Sequence, residues 1–84
     1  MSAWSLYILR CKDGTLYTGI TTDVAERLAK HQSGEGAKYT RGRGPFELAY
    51  EEKDLTESVA RKREAEVKKW SKMEKEKFIF KNPA

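Results

Sequence analysis

Two short apolar runs near the start of the chain are separated by a turn signal. Residues 4–11 (WSLYILRC) and 15–20 (TLYTGI) are rich in aromatic and β-branched side chains, which favour β-strands. Between them lies Asp13-Gly14, a pair of residues typical of tight hairpin turns. The pattern therefore predicts a β-hairpin.

The length of the hairpin loop decides where Tyr7 and Tyr17 point. A two-residue turn would put these tyrosines on opposite faces, because side chains alternate along a strand. A three-residue loop over residues 12–14 would put both rings on one face, with Gly19 opposite Tyr7 and open space over the Tyr7 ring. We favour the longer loop, because Gly14 can adopt the left-handed conformation that it needs. Strand composition alone favours a simpler arrangement, in which both rings pack at a sheet edge with their hydroxyl groups in water.

A first helix is predicted over residues 24–33. Asp23 and Glu26 resemble a capping box, in which the first side chain accepts a hydrogen bond from the first turn and the second reaches back. Glycines end this helix. The next residues, 34–45 (GEGAKYTRGRGP), hold four glycines, one proline and three cations, so we expect a basic loop there.

The second half of the chain predicts one strand and two helices. Residues 46–51 (FELAYE) alternate apolar and polar positions, as a strand with one buried face does. Thr56 is suited to cap a helix over residues 57–70. The apolar side of that helix carries Val59, Ala60, Val67 and Trp70.

A break is predicted after this long helix, because Ser71 and Glu74 form a second capping box. The final helix then covers residues 72–79. We expect its inward side to carry Met73, Phe78 and Ile79.

The predicted order of elements is β-β-α-β-α-α. A small three-stranded antiparallel sheet packed with helices is the simplest architecture for this order, which is an α+β fold. The 84 residues suffice for one hydrophobic core. We therefore expect a single domain over residues 1–84, with its core at about 4–79, and a monomer.

Basic side chains outnumber acidic ones, 17 to 13, which gives a net charge of +4. A surface with this charge attracts polyanions, so nucleic acid is the first partner to expect and an anionic membrane surface the second. No apolar run approaches the ~18 residues that a membrane-spanning helix needs, and the first residues do not resemble a secretory signal. We expect a cytoplasmic protein with no membrane partner.

A structural metal core is not expected from the composition. The chain has one cysteine, Cys11, and one histidine, His31. One residue of each kind allows neither an internal disulfide nor a Cys/His zinc cluster.

Two helices carry candidate catalytic side chains. Arg27 and His31 are four residues apart, which makes them neighbours on one face of the first helix. On the second helix, Glu64 and Glu66 flank the apolar side on opposite edges, and helix geometry does not choose between them. Such side chains are also common on helix faces that simply contact water.

Together these positions resemble the GIY-YIG nuclease domain. The resemblance covers roughly residues 4–79, and the longer stretches LYTGITTDVAERLAKHQSG, AKYTRGRGP and REAEVKKW are similar to small single-domain bacterial proteins of that superfamily. The short motifs are Leu6-Tyr7-Ile8, Tyr17-Thr18-Gly19, Arg27 eight residues after that glycine, His31 four residues later, and Glu64 in Ala60-x-x-x-Glu64.

The resemblance implies a divalent-metal-dependent endonuclease, or nuclease-like protein, that hydrolyses DNA phosphodiester bonds in DNA repair or processing. It implies that Tyr7 is the general base, that Tyr17 supports the same site, and that Arg27 stabilises phosphate charge. His31 would orient the base or bind the phosphate. Glu64 would be the one protein ligand of Mg²⁺ or Mn²⁺, with phosphate and waters as the other ligands. Arg27 and the metal are the cations expected to lower the pKa of Tyr7.

Three positions depart from the family pattern. Leu6 and Thr18 replace a glycine and an isoleucine of the name-giving motifs, and Ile20 stands where some repair nucleases have a lysine. Because Ile20 removes one cation from the site, the alternative is a non-catalytic nucleic-acid-binding module that keeps the nuclease fold.

The basic loop is a candidate nucleic-acid interface. Lys38, Arg41 and Arg43 would follow the phosphate backbone while Tyr39 stacks on a base, although a hydrated turn explains the same composition equally well. Nothing in the sequence resembles a target-reading domain, so we expect low sequence specificity on DNA, with branched or damaged DNA as candidate substrates. Docking of a partner protein through Trp4 or Trp70 is a third, weaker hypothesis.

Overall fold

The computed structural model describes residues 3–35 and 44–82. Its elements follow the predicted order β-β-α-β-α-α, which confirms the α+β fold class. They are β1 (Trp4–Arg10), β2 (Leu16–Thr21), α1 (Val24–Gln32), β3 (Glu47–Leu55), α2 (Glu57–Lys68) and α3 (Lys72–Lys81). The basic side chains predicted to bind nucleic acid, Lys38, Tyr39, Arg41 and Arg43, lie outside the described residues.

The sheet is antiparallel, with strand order β2-β1-β3, so β1 is the central strand. Four consecutive residues of β1, positions 6–9, are buried. The central strand is therefore covered on both faces, which explains its nearly continuous apolar sequence.

Each face of the sheet packs against different helices. Leu6 and Ile8 of β1 belong to a core that includes Val67 of α2 and Ile79 of α3. The alternate residues of β1 face the other side, where Tyr7 and Leu9 pack with Val24 and Leu28 of α1. The sheet is thus enclosed by α1 on one face and by α2 and α3 on the other.

The hairpin loop has the three-residue form that the sequence predicts. The Cys11 amide donates to the Thr15 carbonyl at 2.8 Å, and the Gly14 amide donates to the Cys11 carbonyl at 2.9 Å. Gly14 has φ +85°, the left-handed conformation that glycine adopts without steric conflict.

This loop sets the register of β1 against β2. Gly19 lies opposite Tyr7, and Tyr17 lies opposite Leu9. Because paired and alternate residues share a face, both tyrosines lie on the α1 side of the sheet, as predicted.

The third strand is longer than its apolar pattern indicates. The alternation predicted residues 46–51, whereas β3 runs from Glu47 to Leu55. Its charged second half pairs with the start of β1, where Glu52 lies opposite Leu6 and Leu55 opposite Trp4. Backbone pairing with a full-length neighbour extends the strand beyond its hydrophobic part.

All three predicted N-caps form. Asp23, Thr56 and Ser71 each accept a hydrogen bond from an amide three residues later, at 3.0–3.1 Å. At Ser71 the box is complete, because the Glu74 carboxylate also accepts from the Ser71 amide. The Glu26 carboxylate, by contrast, pairs with Lys30 at 3.4 Å.

Two side chains predicted to face inward are exposed. Met73 is 67% exposed, because it lies about 120° around α3 from the buried Ile79. Val59 is exposed for a similar reason, since it lies about 80° around α2 from Val67. The predictions for both residues are therefore wrong.

No helix in residues 3–35 and 44–82 is long and apolar enough to cross a membrane. Both tryptophans named as candidate docking residues are half-buried, and Trp70 packs against the core of the α2 and α3 face.

The break between α2 and α3 gives a test of these assignments. Ser71→Ala removes the hydroxyl that caps α3, so we expect the free energy of unfolding to fall by about 1 kcal/mol. Met73→Ala removes an exposed side chain and is expected to change it by less than about 0.5 kcal/mol. Urea denaturation of both variants measures the difference, and an equal loss would contradict the exposed position of Met73.

Candidate active site

Tyr7 lies at the centre of the candidate site. It is 2% exposed, and a Cβ atom built on Gly19 would lie only 2.6 Å from its hydroxyl oxygen. Carbon atoms do not approach so closely without displacement, so position 19 must lack a side chain. The sequence predicted open space over the ring, whereas the Tyr7 phenol itself fills the space beside Gly19.

His31 is the hydrogen-bond partner of Tyr7. The Tyr7 hydroxyl oxygen and His31 Nε2 are 3.0 Å apart, and the histidine is 2% exposed. Burial lowers the pKa of His31, and the charge of Arg27 lowers it further. In the neutral imidazole tautomer with its proton on Nδ1, Nε2 is the acceptor and the Tyr7 hydroxyl donates to it.

Tyr17 and Phe46 complete an aromatic enclosure around this pair. The Tyr17 ring centroid is 5.2 Å from that of His31 and 6.3 Å from that of Tyr7. Phe46 packs its ring edge against His31 at 5.9 Å. Since Tyr17 is only half-buried, its ring forms the boundary between the buried pair and solvent.

Two charged residues from different helices act on the Tyr7 phenol. Burial, followed by the Tyr17 phenol, raises the pKa of Tyr7 well above its ordinary value; Arg27 lowers it and Glu64 raises it. The structure therefore brings Arg27 of α1 and Glu64 of α2 into the electrostatic environment of Tyr7.

The lowering of the Tyr7 pKa expected from Arg27 is confirmed in direction, but it does not set the net shift. Arg27 acts in that direction, but burial is the largest effect and reverses the net shift. Tyr7 is therefore a neutral phenol at pH 7.

The structure distinguishes the two candidate glutamates of α2. The Glu64 side chain is 25% exposed and pairs with Lys68 at 3.5 Å. The Glu66 side chain is 59% exposed and pairs with Arg63 at 2.7 Å. Of these two carboxylates, Glu64 is the one whose charge raises the pKa of Tyr7, so it is the better candidate for this site.

A divalent metal with few protein ligands fits these residues. Within the described ranges, no group of three or more His, Cys, Asp or Glu side chains could hold a metal ion. Mg²⁺ keeps several waters and often takes only one or two carboxylates. Glu64 supplies one half-buried carboxylate, whose cationic partner is a lysine on the same helix.

Three residues at the site were missed by sequence reasoning. Phe46 contacts His31, and Gln32 holds both backbone groups of Phe46 through hydrogen bonds of 3.0 and 3.1 Å. No local pattern predicts these contacts, because they join α1 to the start of β3. Lys68 was readable as a partner four residues after Glu64, the usual spacing of a helical ion pair.

The contact between Gly19 and Tyr7 predicts a strong effect of a single methyl group. Gly19→Ala is expected to lower the free energy of unfolding by about 1–3 kcal/mol, because the methyl group would overlap the phenol. In a Tyr7→Leu background the overlapping atoms are absent, so the same substitution should cost much less. A double-mutant cycle by urea denaturation measures this coupling, and equal costs in both backgrounds would contradict the contact.

The buried histidine predicts a pH dependence of stability. The pKa of His31 is lowered in the folded protein, whereas in the unfolded chain it is about 6.5. At a pH below 6.5, the unfolded chain therefore binds the proton more readily than the folded protein does. This contribution to stability is present above pH 6.5 and is lost as the pH falls. Urea denaturation at pH 7.5 and 5.5 should show a larger loss for the wild type than for His31→Gln, and parallel losses would contradict the assignment.

Comparisons with known proteins identify the family of this chain. Residues 3–77 match the family described as the GIY-YIG catalytic domain. A UPF0213 protein of Natronomonas pharaonis is 51% identical over 74 residues, which cover 88% of this chain and 87% of that protein. A UPF0213 protein of Yersinia pestis is 51% identical over 82 residues, covering 98% and 86%.

Two solved structures have the same fold. The solution NMR structure of a UPF0213 protein from Bacillus halodurans has a TM-score of 0.60 and 51% identity, covering 92% of this chain and 82% of that one. An NMR structure of a protein from E. faecalis has a TM-score of 0.66 and 40% identity, covering 96% and 86%. The resemblance read from the short motifs is confirmed, and the chain belongs to the GIY-YIG catalytic domain family.

Proposed function

We propose that this protein hydrolyses DNA phosphodiester bonds with the help of one divalent metal ion. The observation that carries the proposal is the buried hydrogen bond between Tyr7 and His31, beside Arg27 and Glu64. Two neutral proton-exchanging groups next to a guanidinium and a carboxylate are the parts that phosphodiester hydrolysis needs.

The Tyr7–His31 pair offers a way for a neutral phenol to activate water. Because Tyr7 is a neutral phenol with a raised pKa, its hydroxyl oxygen can take a proton from water only if it releases its own proton to another group. The 3.0 Å hydrogen bond lets the Tyr7 proton move to His31 Nε2 while the hydroxyl oxygen takes a proton from water. The attacking water becomes hydroxide and His31 becomes an imidazolium ion. Of the two roles considered for His31, this geometry supports orienting and assisting the base.

Arg27 is suited to bind the phosphate. No ion pair joins Arg27 to an acidic side chain in the part of the chain that the structure describes, so its guanidinium can meet phosphate oxygens. A guanidinium contacts two such oxygens at once and offsets the charge that develops during hydrolysis.

Glu64 would hold Mg²⁺ or Mn²⁺ together with phosphate and water ligands. When bound, the metal would supply positive charge against the phosphate oxygens. The same carboxylate pairs with Lys68, whose ammonium is exposed, in a helical ion pair of the kind that contributes about 1 kcal/mol or less. Such a pair is weak enough for another cation to replace it.

We further propose DNA as the substrate, in repair or processing and with low sequence specificity. The net charge of +4 and the membership of the GIY-YIG catalytic domain family support this choice. Branched and damaged DNA are the forms to test first. Backbone contacts from Lys38, Tyr39, Arg41 and Arg43 stay a prediction from the sequence.

Paired substitutions on α2 test the proposal. Glu64→Gln removes the proposed metal ligand and should lower the rate of plasmid nicking in Mg²⁺ or Mn²⁺ by about 10²-fold or more. Glu66→Gln makes the same chemical change two residues away and should retain activity within about 3-fold. Urea denaturation serves as the folding control for both variants. Equal nicking by the wild type and Glu64→Gln would contradict the proposal.

One observation favours the non-catalytic alternative. Ile20 packs against the core on the α2 and α3 face, so position 20 supplies no cation to the site. If the wild type binds DNA without metal-dependent cleavage, and Arg41→Ala with Arg43→Ala weakens that binding and its salt dependence, the protein is a nucleic-acid-binding module.

A further inference from the structure

A cleft with two lysines lies beside the candidate active site. It is formed where β2, the end of α2 and the start of α3 meet, and it is lined by Leu16, Tyr17, Thr18, Lys68 and Lys75. Tyr17 borders both places, because its ring also packs beside His31. Tyr17 is therefore a residue that the cleft and the candidate active site share.

The two lysines of the cleft differ in how their positive charge is balanced. Lys68 pairs with Glu64 at 3.5 Å, whereas no acidic side chain within the described ranges pairs with Lys75. Burial lowers the pKa of Lys75, and the nearby charge of Lys68 lowers it further. Two ammonium groups in one partly buried cleft repel each other, and an anion between them would relieve that repulsion.

The wall of the cleft also contains an unsatisfied polar group. Thr18 is buried, and its Oγ1 atom has no hydrogen-bond partner among residues 3–35 and 44–82. A buried hydroxyl without a partner costs about 1–3 kcal/mol, so a bound ligand that supplied the partner would recover part of this cost.

We propose that this cleft binds a backbone phosphate of the nucleic acid, next to the phosphate held at the Tyr7 site. The inference rests on the proposed function and adds a second contact point for the same strand. Lys75 supplies the main charge, and Lys68 is shared with Glu64.

The spacing along α2 suits neighbouring phosphates. Glu64 and Lys68 are one helical turn apart, about 6 Å along the axis of α2. Phosphates repeat every ~3.4 Å along the axis of each strand of DNA. Residues one turn apart on α2 are thus separated by more than one axial step of a DNA strand, so they can lie beside different phosphates.

Binding measured without metal tests the subsite separately from catalysis. The probe is a fluorescein-labelled 12-nucleotide single strand, and its 12-base-pair duplex, titrated by anisotropy in EDTA over a range of NaCl concentrations. Lys75→Gln should weaken binding by roughly 3- to 10-fold and reduce the salt slope by about 0.7–1. Lys75→Arg keeps the charge and should bind within about 2-fold of the wild type.

Lys77 provides the matched control on the same helix. It borders a different groove with Trp70 and Phe78, so Lys77→Gln removes an equal charge outside the cleft and should change affinity by less than about 2-fold. Equal losses in Lys75→Gln and Lys77→Gln would overturn the inference, because only net charge would then matter. Loss of binding in Lys75→Arg would also overturn it.

The two proposals can fail independently. If Glu64→Gln abolishes nicking but the Lys75 and Lys77 variants bind alike, the nuclease proposal stands and the subsite is refuted. If Lys75→Gln alone loses affinity while no protein nicks DNA, the subsite stands and the hydrolytic proposal fails.

Discussion

The candidate site depends on the contact between the Tyr7 phenol and the backbone of Gly19. The three-residue loop at Gly14 fixes the register that brings these residues together across β1 and β2. A side chain at position 19 would occupy the place of the phenol. Displacement of the phenol would break its 3.0 Å hydrogen bond to His31. The Tyr7–His31 pair therefore depends on the absence of a Cβ atom at position 19.

The site keeps its buried groups neutral and its charges nearer the solvent. An ionised side chain buried without a partner costs several kcal/mol, whereas a neutral hydrogen bond contributes about 1 kcal/mol. Tyr7 and His31, both 2% exposed, therefore stay uncharged in the folded protein. Arg27 and Glu64 are less buried, and they carry the charges that the proposed function assigns to phosphate and metal binding.

The hairpin register and the helix starts were predictable because they depend on local chemistry. Gly14 selects the loop, and Ser71 with Glu74 marks the break between α2 and α3. Properties set by tertiary packing were not predictable in the same way. The direction of the Tyr7 pKa shift depends on burial of the phenol in the folded protein, and the inward side of α3 is set by its contact with the sheet. From helix geometry alone, Glu64 and Glu66 were equivalent; the resemblance pointed to Glu64, and its effect on Tyr7 distinguishes them independently.

The helix α2 links the candidate metal ligand to the cleft beyond it. Glu64 and Lys68 lie on successive turns of a rigid element whose Ala60 and Val67 are fully buried against the sheet, so their separation does not vary as it would on a loop. With a phosphate in the proposed subsite, Lys68 would lie between two anions, the Glu64 carboxylate and that phosphate. A cation bound at Glu64 would reduce the attraction between Glu64 and Lys68. The charge of Lys68 would then act mainly on the phosphate. Binding of a cation at Glu64 and binding of a phosphate in the cleft would therefore favour each other, because the two anions would no longer compete for Lys68.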